Sequence, residues 1–188
     1  EPLGEFYNDR LEMAAAYEAA GFYSYHIAEH HATPLGLAPS PNVFLAAVAR
    51  HTKRLRFGPL VYLLPMYHPV RLAEEICMLD QLSGGRLEMG IGRGISPIEL
   101  SYWGVSYEEG PAKYRDTFEL ITKGLVSETL SHESENFRVN NMPLHLSAVQ
   151  KPHPPLWYGI ANPESIKWPP DNQLNIITNQ TVEITKKI

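Results

Sequence analysis

Two short stretches concentrate the chemistry of this chain: Arg86-Leu-Glu-Met-Gly-Ile-Gly-Arg-Gly94 and Glu29-His30-His31. In the first, Leu87, Met89 and Ile91 alternate with Glu88, Gly90 and Gly92, the period of a short strand with one packed face. The strand runs into Gly92-Arg93-Gly94, where glycines admit positive φ and let backbone N–H groups approach a ligand. An arginine between them is a fixed cation with a planar fork of donors, suited to phosphate. In a parallel α/β structure, ligands sit beyond the carboxyl ends of the strands, where Arg93 falls. The stretch therefore reads either as a grip on a phosphate-bearing cofactor or as an arginine salt-bridged within a Gly-rich turn. The second stretch sets an acid beside two imidazoles and, with His26, spells H-x-x-E-H. That zinc-peptidase pattern needs both histidines on one face of a helix. Tyr23, Tyr25 and Ile27 favour a strand instead, which turns Glu29 away from His26 and His30, so no metal site is expected.

The elements that must position these residues alternate helix and strand. Residues 11–20 are Ala-rich and end at Gly21, which predicts a helix. Residues 22–28 form a strand that delivers Glu29, His30 and His31 at its end. Ser40 is placed to N-cap a helix opened by Pro41 and running to about His51. The apolar run 55–64 predicts a strand covered on both faces, closed by Pro65 and Pro69. Leu72, Ile76 and Leu79 give a helix over 70–82, stopped by Ser83-Gly84-Gly85. After the 86–94 strand and a loop, Tyr114, Phe118, Ile121 and Leu125 keep one face of a helix over 111–126. The rhythm breaks over 127–155, read as an excursion over the barrel's rim, with a hairpin about Asn140-Asn141 and an extended Lys151-Pro-His-Pro-Pro155. A strand returns at 156–160. Asn162-Pro163 begins a short helix that Pro169-Pro170 ends, and 174–178 is the last strand. This spacing predicts a parallel sheet with crossover helices. About five strands are identifiable, whereas a (β/α)8 TIM barrel has eight and usually ~250 residues. The expected fold is α/β, one domain over 1–188: an incomplete TIM barrel, a fragment or a chain with parts not represented. An open doubly wound sheet is the alternative.

Composition bounds the reading further. With 188 residues, 44% hydrophobic and 20% charged, the chain can bury one sizeable core. A net charge of −5 and no basic block argue against nucleic acid. The single cysteine, Cys77, rules out an internal disulfide framework and fits a reducing, cytoplasmic setting. No apolar run approaches the ~20 residues of a membrane span. No signal-peptide pattern is visible, and the opening Glu1-Pro2, without Met, leaves room for a true N-terminus upstream.

Several segments then occur in one order: Ala28-Glu-His-His31, Leu64-Pro-Met-Tyr-His-Pro-Val-Arg71, Ala73-Glu-Glu75, Leu79-Asp-Gln-Leu-Ser-Gly-Gly-Arg86, Gly90-Ile-Gly-Arg-Gly94 and Val149-Gln-Lys-Pro-His-Pro-Pro-Leu-Trp157. Together they resemble the bacterial luciferase-like, flavin-dependent monooxygenases. The resemblance implies a TIM barrel binding reduced FMN, or deazaflavin F420 in some branches, at the strand C-termini. It implies O2 as co-substrate, oxygenation of a small organic molecule, a flavin reductase supplying the cofactor, and a homodimer.

By the same resemblance His30 is the histidine beside the flavin ring, apt for acid–base work because an imidazole exchanges protons near neutral pH. Glu29 anchors the loop or orients the imidazoles, and His31 is their neighbour. Arg93 holds the flavin phosphate, assisted by the Ile95 N–H and flanked by Gly92 and Gly94. Leu60-Val61 matches a non-prolyl cis peptide under the ring, Tyr62 a wall of the pocket, and Ser165 a second phosphate contact. The chain departs from the pattern at Gly92, where luciferase has a reactive cysteine, at His26 in place of an aromatic residue, and at Pro169-Pro170. Two other readings stand beside this one: a metal-dependent TIM-barrel hydrolase, and a non-catalytic flavin-binding or structural partner.

Overall fold

The computed structural model describes residues 2–160, 168–178, 181 and 183. Helix α1 (Leu3–Ala19) starts well before its Ala-rich stretch and leads into strand β1 (Ser24–Ile27). Helix α2 (Pro41–His51) follows, then β2 (Arg56–Pro59) and the two-residue β3 (Tyr62–Leu63). Leu60-Val61, a cis peptide, separates β2 from β3, so the apolar run 55–64 is one strand position in two pieces. Helix α3 (Pro69–Ser83) ends at Gly84, whose φ of 68° is the left-handed cap that glycine supplies at low cost. Strand β4 (Met89–Gly92), the short α4 (Pro97–Tyr102) and the long α5 (Gly110–Val126) complete the central units. An antiparallel hairpin, β5 (Thr129–Glu133) and β6 (Arg138–Pro143), precedes β7 (Leu156–Gly159), α6 (Trp168–Asp171) and β8 (Asn175–Ile177).

All pairing outside the hairpin is parallel. Strand β1 pairs with β2, and β3, β4, β7 and β8 pair in that order. The Phe57–Leu87 bridge joins the two sheets. Five parallel strand positions with helices on the outer face make an incomplete (β/α)8 barrel, unclosed among the described residues. The core lies between sheet and helices, where Leu45, Leu72, Ile76, Phe57, Leu87 and Met89 are fully buried.

Two polar devices brace the end of the barrel opposite the strand C-termini. Arg86 donates to the carbonyls of Ala49 (2.6 Å), Leu55 (2.8 Å) and Ser83 (2.8 Å), placing a cation at the C-terminus of α2, where the helix dipole favours one. Glu88, expected on the open face of its strand, is instead buried, so β4 is covered on both sides. Its carboxylate accepts from Arg56, Tyr23 and the Trp157 indole, which satisfies a charge that burial would otherwise penalise. Gly58 makes this packing possible: a Cβ there would lie 1.8 Å from the Glu88 carbonyl oxygen.

Three local expectations change. The hairpin exists, but its turn is at 134–137, with Asn140 and Asn141 inside β6. Asp116 fixes that turn by accepting from Ser134 (2.7 Å) and Asn136 (2.8 Å), contacts from α5 that a local reading misses. The hairpin packs Leu130 against Val70 and Leu120 on the outside of α3 and α5. Pro169 and Pro170 lie in α6, which ends one residue after them, and the helix start expected at Asn162-Pro163 lies outside the described residues. Ser40 occupies the N-cap position of α2, but its side chain makes no capping bond. Helix α4 falls where a plain loop was expected.

Candidate functional site

The strand C-termini open onto a cavity of about 560 Å³, within the range of small-molecule sites. The loop after β1 supplies Ala28, Glu29 and His30; the β2–β3 junction supplies Leu60 and Val61, and β3 Leu63; β4 and its loop supply Ile91 to Ile95. Pro111, Tyr114 and Arg115 from the first turns of α5 face them, with Tyr158, Gly159 and Trp168 closing one side. His30 and Arg93, far apart in sequence, thus line one space.

Arg93 forms no ion pair among the described residues. Its guanidinium lies 4.9 Å from the Tyr107 ring centre and donates to the Tyr107 hydroxyl at 3.0 Å. The salt-bridged-turn reading is therefore not what the structure shows. The two glycines beside it differ in purpose. Gly94 has φ +85°, as expected of a loop that turns its N–H groups outward. Gly92 has no positive φ; a Cβ there would sit 2.3 Å from Val61 Cγ2. Ile95 is 81% exposed at the rim.

The Glu29-His30-His31 stretch divides its labour. Glu29 is 3% exposed and accepts from His31 Nε2 (2.8 Å), the Leu63 N–H (3.1 Å) and the Tyr67 hydroxyl (2.8 Å). Burial and the Glu29 charge push the Tyr67 hydroxyl far above its ordinary pKa, so it stays a donor. His31 is buried under Trp103, ring centres 4.1 Å apart. His30 reaches the cavity, with Nδ1 3.2 Å from Glu99 Oε1. The same carboxylate oxygen accepts the His31 backbone N–H at 2.9 Å.

Glu99, on α4, is the residue that sequence reading missed. A signal was present: Ser96-Pro-Ile-Glu99 has capping-box spacing, and Ser96 Oγ does accept the Glu99 N–H at 3.2 Å. The Glu99 side chain, however, turns to the histidines. Tyr62, expected in the pocket wall, lies behind it: fully buried, it hydrogen-bonds to Asn42. Ser165 lies outside the described residues. His26 falls in β1, so the H-x-x-E-H pattern does not sit on a helix, and no group of three or more potential metal ligands occurs among the described residues.

The residues present fit a flavin-type cofactor. Tyr114 lines the cavity with a buried hydroxyl that has no hydrogen-bond partner among the described residues, a donor free for an acceptor. Arg93 supplies a cation, and the glycine at 92 keeps the floor low over Val61. Tyr158 and Trp168, ring centres 5.0 Å apart, offer an aromatic side wall.

A family model described as luciferase-like monooxygenase matches residues 3–182. Uncharacterized protein y4wF of Sinorhizobium fredii is 46% identical over 182 residues, covering 97% of this chain and 53% of that protein. Monooxygenase RslO1 from Streptomyces bottropensis superposes with a TM-score of 0.89 at 28% identity, covering 94% of this chain and 54% of that one. The oxygenating constituent of 3,6-diketocamphane monooxygenase from Pseudomonas putida, solved in complex with FMN, gives 0.81 at 22% identity, covering 95% and 53%. The chain thus spans about half the length of the curated relatives it matches. With the family model matched over residues 3–182, the chain belongs to the luciferase-like monooxygenase family.

Proposed function

We propose that this chain carries the cofactor face of a flavin-dependent monooxygenase that uses reduced FMN, supplied by a reductase, and O2 to oxygenate a small organic molecule. The observation that carries the reading is the meeting of His30 and Arg93 in one cavity at the strand C-termini. The cofactor, when bound, would supply the electrons that activate O2. Arg93, with the Ile95 N–H and the turn at Gly94, would hold its phosphate, a pairing that a planar guanidinium makes well. Leu60 and Val61 would support the ring, and His30 would exchange a proton at its free nitrogen. Glu29 and His31 would act behind it, fixing the loop's shape. A role for Ser165 as a second phosphate contact belongs to the same reading.

A homodimer in the cytoplasm fits this reading. Val43 on α2, and Met78 and Leu82 on α3, are large apolar side chains left exposed on neighbouring helices, a surface of the kind that self-association covers. No helix among the described residues is long and apolar enough to cross a membrane. Anaerobic titration of the purified protein with reduced FMN, and separately with reduced F420, tests the proposal. Saturable binding of reduced FMN is expected, binding of F420 alone would reassign the cofactor, and binding of neither would overturn the reading.

A further inference from the structure

Glu99 is nearly buried at the start of α4, held there by the Ser96 cap, and touches both neighbouring histidines. An ionised carboxylate has no hydrogen to donate. Its 3.2 Å contact with His30 Nδ1 is therefore a hydrogen bond only when Nδ1 carries the proton. We infer that Glu99 is a positioning residue that fixes His30 as the Nδ1–H tautomer, leaving the Nε2 lone pair for whatever occupies the cavity. Neutral histidine free in water favours the opposite, Nε2–H form, so this tautomer must be imposed.

The adjacent ring is set the other way. His31 donates through Nε2 to Glu29 at 2.8 Å, and Trp103 covers it. Two carboxylates thus hold two consecutive imidazoles in opposite tautomers, and only His30 faces the cavity with a free acceptor. Nε2 of His30 has no hydrogen-bond partner among the described residues, so the assignment costs no other contact. Because one Glu99 oxygen also accepts the His31 N–H, the backbone turn and the tautomer are fixed by the same group.

The inference rests on the proposed function for its catalytic meaning and for the turnover measurement below, not for the tautomer measurement that decides it. Long-range ¹⁵N–¹H NMR of the cofactor-free chain, at a pH where the rings are neutral, reads each tautomer directly, with His30→Asn assigning the peak. His30 is expected as Nδ1–H and His31 as Nε2–H. Glu99→Met should return His30 to a mainly Nε2–H form while His31, still held by Glu29, stays unchanged. Glu99→Gln, whose carbonyl can still accept, should retain the native tautomer. In the cofactor-loaded enzyme Glu99→Met should cut kcat by at least about 100-fold without changing cofactor affinity. A wild-type His30 found as Nε2–H overturns the inference even if Glu99→Met fails to fold, and so does an unchanged tautomer in that variant. Failure to bind reduced FMN or F420 with the tautomers as stated would instead overturn the functional proposal alone.

Discussion

Replacing Glu29 by alanine should unsettle the fold before it touches any chemistry. The carboxylate is 3% exposed and accepts three hydrogen bonds: from the His31 ring, the Leu63 N–H and the Tyr67 hydroxyl. His31 and Leu63 are buried, while Tyr67 is half-buried and is counted at part weight. A buried donor stripped of its acceptor costs about 1–3 kcal/mol. Two such donors and a partial third, set against the relief of no longer burying an ionised group, give a net loss of about 3–5 kcal/mol. That is a large share of a typical domain stability of about 5–15 kcal/mol. Urea unfolding followed by tryptophan fluorescence is a suitable assay, since Trp103 lies against His31. With a slope of about 2 kcal/mol per molar, the midpoint should fall by about 2 M. Glu29→Gln keeps one acceptor and should lose less, about 1–2 kcal/mol. A loss below about 1 kcal/mol for Glu29→Ala would refute this account. A Glu29→Gln protein with wild-type stability but no turnover would make Glu29 a proton carrier instead.

Arg93→Ala should weaken binding of reduced FMN by roughly 2–4 kcal/mol, the cost of removing a charge that meets phosphate; calorimetry showing unchanged affinity removes Arg93 from the phosphate site. Gly58→Ala should prevent native folding, because its Cβ would meet the Glu88 carbonyl at 1.8 Å and backbone cannot swing aside; a soluble variant with wild-type circular dichroism and melting would contradict the packing of β2 on residues 87–88. Glu18→Gln probes pH. Partial burial raises the Glu18 pKa, but the N–H groups of Lys53, Arg54 and Leu55 and the Arg54 charge outweigh it, lowering the group from 4.5 to about 2. A lowered carboxyl contributes stability above its unfolded pKa and loses it as protons bind. The wild type should therefore exceed Glu18→Gln by about 1 kcal/mol at neutral pH, after allowing for solvent screening. The gap should close as pH falls from about 4.5 towards 2; thermal melts with a pH-independent difference would count against it.

What the sequence made legible is what local pattern controls. Helix α3 was readable because Leu72, Ile76 and Leu79 recur on one face and glycines follow. The strand positions were readable because apolar runs end in turn residues, and the cis peptide fell at Leu60-Val61, the place the resemblance marked. The hairpin register was not readable. Asn140-Asn141 is a good turn by local chemistry, but Asp116, on the preceding helix α5, holds Ser134 and Asn136 and wins the competition. Glu88 was misjudged for the same reason: alternation marks it solvent-facing, whereas Arg56, Tyr23 and Trp157 from three other segments make its burial tolerable.

The site shows the limit most clearly at its glycines. From sequence, Gly90-Ile-Gly-Arg-Gly94 invites one explanation, backbone freedom next to a phosphate. The structure divides that explanation in two. Only Gly94 takes a positive φ. At Gly90 a Cβ would lie 2.3 Å from the Pro59 carbonyl oxygen, and at Gly92 the same distance from Val61 Cγ2. Those two glycines let β4 press against the β2–β3 junction, so that Leu60 and Val61 can form the cavity floor beside Arg93. Spacing along one strand cannot reveal that purpose, because the partner atoms come from residues some thirty positions earlier in the chain. The same reasoning covers Glu99, whose cap signal was local but whose targets, His30 and His31, were not. Local chemistry in the sequence names the parts that grip; the close approaches that aim them emerge only once parallel strands bring distant segments side by side.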